Sequence, residues 1–171
     1  MGLFGKLFGK KGPNGQDHAA SPPVQGSGSR TISYDPSLVA SLKHDHDELV
    51  AQYQRLGELH RSGRFGEIRG ELINFKTRFE AHVLTENVRF YTYLEQTLMG
   101  DAHNAELMRD FRREMNTIAR GAVNFVKKYQ ISEFDSTDRE QFTKDYQTVG
   151  SLLTQRIERE ESGLYPLYQQ D

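Results

Sequence analysis

The stretch "RIEREESGLYPLY", Arg156–Tyr168, repeats a frame already present in "HVLTENVRFYTY", His82–Tyr93. Both read X-aliphatic-x-x-Glu-(Asn/Glu)-x-x-apolar-Tyr. In each copy the opening residue and the glutamate stand four apart, so on a helix they project from one face. The opening residues differ: His82 is able to bind a metal and Arg156 is not. Apolar residues continue the same face at steps of three and four, Phe75, Phe79 and Phe90 around the first copy, Val149, Leu153 and Leu164 around the second. That period belongs to helices, not strands. Two polar pairs thus interrupt seams that are otherwise apolar.

Outward from these copies, punctuation bounds four helices. "DPSL" places Asp35 as N-cap and Pro36 at the first helical position. That helix runs to about His60 and stops at "RSGR". The second spans about Phe65 to Leu98 and ends at "MGD". The third starts near Asn104 and fades after Tyr129. "TDRE", Thr137–Glu140, reads as a capping box opening the fourth, which runs to about Ser162 before Gly163 and Pro166. Short connections make neighbours antiparallel, so residues 34–171 are expected to form an all-α, up-down-up-down four-helix bundle.

The other seams follow the same rule. The first helix offers Leu42, His46, Leu49, Tyr53 and Leu56. The third offers Met108, Phe111, Met115, Ile118, Ala122, Phe125 and Tyr129. The fourth begins with Phe142 and Tyr146. His44 lies about 200° around the helix from His46, so it faces solvent if His46 faces in. Five polar residues, His46, His82, Glu86, Arg156 and Glu160, therefore sit on inward faces. Charged groups are rarely buried unless paired or metal-bound. One core histidine is ordinary, whereas five such positions, four of them as two pairs in equivalent frames, predict a polar layer across the bundle.

Composition sets the rest. The chain has 171 residues, a net charge of −2 with acids and bases intermixed, and no cysteine. A nucleic-acid footprint is not visible in that charge pattern. Disulfides, thiolate metal sites and thiol catalysis are excluded. No apolar run approaches the roughly 20 residues of a membrane span, and no secretory signal is present, which predicts a cytoplasmic protein. Glycine-rich phosphate loops, catalytic triads and cofactor fingerprints are missing, so no enzyme is expected.

Residues 1–33 carry three of the five prolines and several glycines, the composition of a flexible tail. Within it "GLFGKLFGKKG" sets Leu3, Phe4, Leu7 and Phe8 on one helical face, with Lys6, Lys10 and Lys11 able to meet anionic lipid. Burial gains of about 1.5–3 kcal/mol per large side chain are nearly cancelled by ordering costs of about 1–2 kcal/mol per residue. Weak contact with the inner membrane surface, or docking to a protein, is the expectation for this segment.

"KHDHDEL" around His46, "FEAHVLTEN" around His82 and Glu86, and "REESGLYP" after Arg156 together resemble the hemerythrin family over residues 38–168. Bacterial members of that family are four-helix bundles holding two non-haem irons. The resemblance implies His46, His82, Glu86 and Glu160 as ligands. It also implies histidines where this chain has Met115 and Arg156. Methionine is a poor ligand for iron, and arginine stays protonated with no lone pair to offer. The expectation is a bundle that has lost its di-iron centre, with Arg156 paired to Glu86 and Glu160 in place of metal charge. It would serve as a regulatory or adaptor module in bacterial signalling, acting through a protein partner and without a cofactor. The alternative is an oxygen, iron or redox sensor, or an oxygen-binding protein. It would hold a reduced, mononuclear non-haem iron site on His46, His82, Glu86 and Glu160.

Overall fold

The computed structural model describes residues 31–170. The N-terminal segment with Leu3, Phe4, Lys6, Leu7, Phe8, Lys10 and Lys11 lies outside the described residues. Among those described there are four long helical rods and no strand. The first is α1, Leu38–Arg61. The second is α2, Phe65–Thr85, running through a π-helical turn, Glu86–Tyr91, into α3, Thr92–Thr97. The third is α4, Ala102–Tyr129, and the fourth α5, Ser136–Arg159, which continues as a π-turn over Glu160–Leu164 and a 3₁₀ turn over Tyr165–Leu167. Packing of α1 on α2, α2 on α4, α4 on α5 and α5 on α1 closes an antiparallel four-helix bundle. No described helix is long and apolar enough to cross a membrane.

Helix boundaries follow local chemistry, with two corrections to the expected caps. Asp35 does not stand next to α1. Its carboxylate accepts from the Ser37 N–H at 2.9 Å and the Ser37 hydroxyl at 2.7 Å, shaping the turn that leads in. The fourth helix is capped by Asp135, whose side chain accepts from Asp138 N–H at 2.8 Å, and not by Thr137. Aspartate is the stronger acceptor for a first-turn N–H, and it moves the start two residues upstream. Asp101 caps α4 in the same way. At the end of α1, Gly63 has a φ of 69°, and Arg64 N–H reaches back to Leu59 O at 2.9 Å. This is a Schellman stop, which a side chain at position 63 would strain.

Two apolar clusters fill the bundle. One contains Tyr53, Phe75, Phe125 and Phe142. The other contains Leu42, Phe90, Met115 and Tyr165. Between them lie the five expected polar residues, all buried. The apolar seams therefore continue on both sides of one polar layer. Ile32, which composition assigns to the tail, exchanges hydrogen bonds with the Gln96 side chain at 2.9 and 3.1 Å.

Tyr53 and Tyr146 join α1 to α5. Their rings stack at 4.6 Å, and each hydroxyl donates to the other's backbone carbonyl, at 2.8 and 3.0 Å. Each ring also lies on a glycine of the facing helix. A Cβ at Gly57 would stand 2.5 Å from the Tyr146 hydroxyl oxygen, and one at Gly150 would stand 3.1 Å from Tyr53 Cε1. Because stacking and both hydrogen bonds hold Tyr146, it cannot yield cheaply. Gly57→Ala should destabilise the bundle by about 1–3 kcal/mol, as other overpacked sites do. Urea denaturation checks this, and an unchanged midpoint would contradict the close approach.

Candidate metal centre

The helical period delivers the polar layer. His46 lies one turn from Leu42 and Leu49, both buried on the same face of α1. His82 lies in the last turn of α2 and Glu86 opens the π-turn that follows, while Arg156 lies in the last turn of α5 and Glu160 opens the second π-turn. Both copies of the repeated frame thus place their glutamate where α-helix gives way to π-helix. Such turns accompany functional sites because the extra residue re-aims the side chains that follow. Here it brings a tyrosine five positions after each glutamate, Tyr91 and Tyr165, into the core.

Arg156 is 3% exposed and Glu86 and Glu160 are 1% and 0% exposed, so the guanidinium and both carboxylates share a dry environment. Arg156 Nη2 donates to Glu86 Oε2. Its Nε lies 2.8 Å from Glu160 Oε1, and its Nη1 donates to the Met115 carbonyl at 3.0 Å. Burial works against the cation, but the two carboxylates outweigh it and raise the Arg156 pKa. Burial and the neighbouring Glu160 push the Glu86 pKa up, partly offset by Arg156. Met115 thus joins the cluster through its backbone oxygen rather than its sulfur.

The opposite oxygens of the same carboxylates face the imidazoles. Glu160 Oε2 lies 3.2 Å from His46 Nε2, and Glu86 Oε1 lies 3.6 Å from His82 Nε2. Neither Glu160 oxygen has a hydrogen bond of proper alignment among the described residues, and His82 Nε2 has none either. Tyr165 fills part of this side. Its hydroxyl donates to Glu86 Oε1 at 2.9 Å and stands 3.3 Å from His46 Nε2. Tyr91, its counterpart in the first copy, has a buried hydroxyl with no hydrogen-bond partner among the described residues.

Each imidazole is held from behind. His46 Nδ1 lies 2.7 Å from Glu161 Oε1, and His82 Nδ1 lies 3.5 Å from Asp45 Oδ2. A carboxylate on Nδ1 fixes a proton there and leaves the Nε2 lone pair aimed inward, the arrangement usual for metal-binding histidines. Burial opposes the charging of His46, yet Glu160 and Glu161 outweigh it and its pKa is raised. Burial dominates at His82, whose pKa is lowered. One ligand atom from each of His46, His82, Glu86 and Glu160 lies within 4.8 Å of the other three.

A family model, the hemerythrin HHE cation binding domain, matches residues 37–168. The chain belongs to the hemerythrin family. No curated protein and no solved structure matches it. The hemerythrin match covers all four rods and every residue of the polar layer. Hemerythrin-type domains usually bind iron, and the buried His/Glu group is one that could bind a metal.

The four residues supply a ligand set for one ion. Two imidazoles and two carboxylates suit a borderline divalent ion such as iron or zinc. Tetrahedral bonds of about 2.0–2.2 Å put ligand atoms about 3.3–3.6 Å apart, so the widest pair would close by about 1 Å on binding. On the other side of the carboxylates, Arg156 has no lone pair and Met115 presents an amide oxygen already bonded to it. Sequence reasoning reached the five polar residues but missed the roles of Tyr165, Glu161 and Asp45. The equal Glu-to-Tyr spacing in the two copies was the signal for the tyrosine. For the two carboxylates behind the imidazoles, helix phase alone carries no signal.

Proposed function

We propose that this hemerythrin-type bundle has exchanged its di-iron centre for a half-site. In this reading one divalent ion, iron first among candidates, is held by His46, His82, Glu86 and Glu160. Arg156 supplies the second positive charge. The observation that carries the proposal is the division of both carboxylates, each turning one oxygen to the guanidinium and the other to an imidazole. From the sequence a metal-free core ranks first, and the four converging ligand atoms favour its alternative. The bound ion would supply a Lewis-acidic and, for iron, redox-active centre. Glu161 and Asp45 orient the imidazoles, and Tyr165 holds Glu86 in place.

The proposed role is regulatory rather than enzymatic. An ion bound between two apolar clusters stabilises the bundle by mass action, about 2.7 kcal/mol at a hundredfold excess over Kd. A protein partner in the cytoplasm would read that change. A metal-free adaptor is the second reading, favoured by Arg156 already pairing with both carboxylates.

Metal analysis of protein purified from iron-supplied cells separates the readings. About one ion per chain is expected, rising towards about two in a Met115→His/Arg156→His variant that restores the missing imidazoles. Two ions in the unaltered protein would remove Arg156 from the account. No ion, even after anaerobic titration with Fe(II), would leave the adaptor.

A further inference from the structure

Two facing stretches of α1 and α5, Leu49–Gln54 ("LVAQYQ") and Gln147–Gln155 ("QTVGSLLTQ"), contain no charged residue in a chain that is 27% charged. A cavity of about 570 Å³ opens between them. Phe75 and Phe79 of α2 form its floor, Tyr53 and Tyr146 one end, and His46, His82 and Arg156 border the other. Tyr146 and Leu153, expected on the apolar seam, are only partly buried because they line this cleft. Val50 stands at its mouth, 41% exposed.

We propose that this cleft is a binding site for a neutral, flat, largely apolar small molecule. Its volume falls within the roughly 300–1,000 Å³ of small-molecule sites. Its aromatic walls offer ring faces for offset stacking. The polar groups at the mouth are amides and hydroxyls, and Glu158 is the one carboxylate among the described lining residues. An anionic ligand would meet the Glu158 carboxylate or carry its charge into the core, where Arg156 is already held by Glu86 and Glu160, and both are costly. The cleft adjoins the ion site through His46, His82 and Arg156, while its walls and mouth are built from residues outside that site.

N-phenyl-1-naphthylamine and 8-anilinonaphthalene-1-sulfonate share their rings and differ by a sulfonate, so together they test the proposal on chelator-treated full-length protein. The neutral probe should bind saturably, one per chain, and at least about tenfold tighter than the sulfonate, a free-energy gap of about 1.4 kcal/mol. Val50→Glu, which puts a carboxylate at the mouth, should weaken the neutral probe at least tenfold while the urea midpoint stays fixed. Ser151→Trp, at an exposed lining position, should block the mouth and serves as the second variant if the first disturbs folding. Equal affinity for both probes, non-saturating uptake, or two variants that bind like the parent would each overturn the assignment.

Discussion

Replacing Arg156 by alanine will destabilise the ion-free bundle by about 3–5 kcal/mol, the usual cost of stripping one partner from a buried ion pair. The loss arises from what stays behind: Glu86 and Glu160 in a dry core without their cation, and a Met115 carbonyl without the Arg156 donor. Against a typical net stability of about 5–15 kcal/mol, that removes between about a fifth and all of the margin. Arg156→Lys keeps the charge but cannot reach three acceptors with a planar fork, so an intermediate loss is expected. A triple variant, Arg156→Met with Glu86→Gln and Glu160→Gln, removes all three charges together and should recover much of the deficit. Denaturant unfolding in chelator resolves these differences. Should the alanine variant stay within about 1 kcal/mol of the parent, the guanidinium would not be the counter-charge of the carboxylates.

Phe142→Ala should cost a similar 3–5 kcal/mol through a different mechanism, the loss of apolar contact plus the cavity left behind. Phe142 is 1% exposed, stacks on His60 at 4.6 Å and meets Tyr129 edge-on at 4.9 Å. It also packs at 5.6 Å against Phe134, whose backbone is held at a φ of 52°. Removing the ring therefore loosens both the core and the strained corner between α4 and α5. Position 142 is fourteen residues from Arg156 along one rod, about 21 Å at 1.5 Å per residue. The folded fraction should thus keep its ion stoichiometry unchanged. A parallel loss of bound ion would show that the two apolar clusters are coupled through the polar layer.

Much of the candidate site is legible in the chain because helical phase is a local property. His46, His82, Glu86, Arg156 and Glu160 occupy seam positions three or four residues from apolar neighbours, and burial follows once the seam is buried. Residues that act from other phases escape that logic. Asp45 and Glu161 sit beside seam residues yet reach an imidazole on a different helix, and no spacing rule connects positions 45 and 82 or 46 and 161. Tyr165 belongs to the repeated frame, but its contact with Glu86 depends on a π-turn. Such a turn is a small energetic departure that tertiary packing selects.

By itself the sequence determined the all-α class, the four rods and the polar layer, since all of these are set by periodicity, punctuation and side-chain chemistry. Only the tertiary structure decided how each carboxylate splits between guanidinium and imidazole, which carboxylates support the histidines, and that α1 and α5 part to open a cleft. Those features depend on distances between rods brought together from far along the chain, and packing fixes such distances where local spacing cannot.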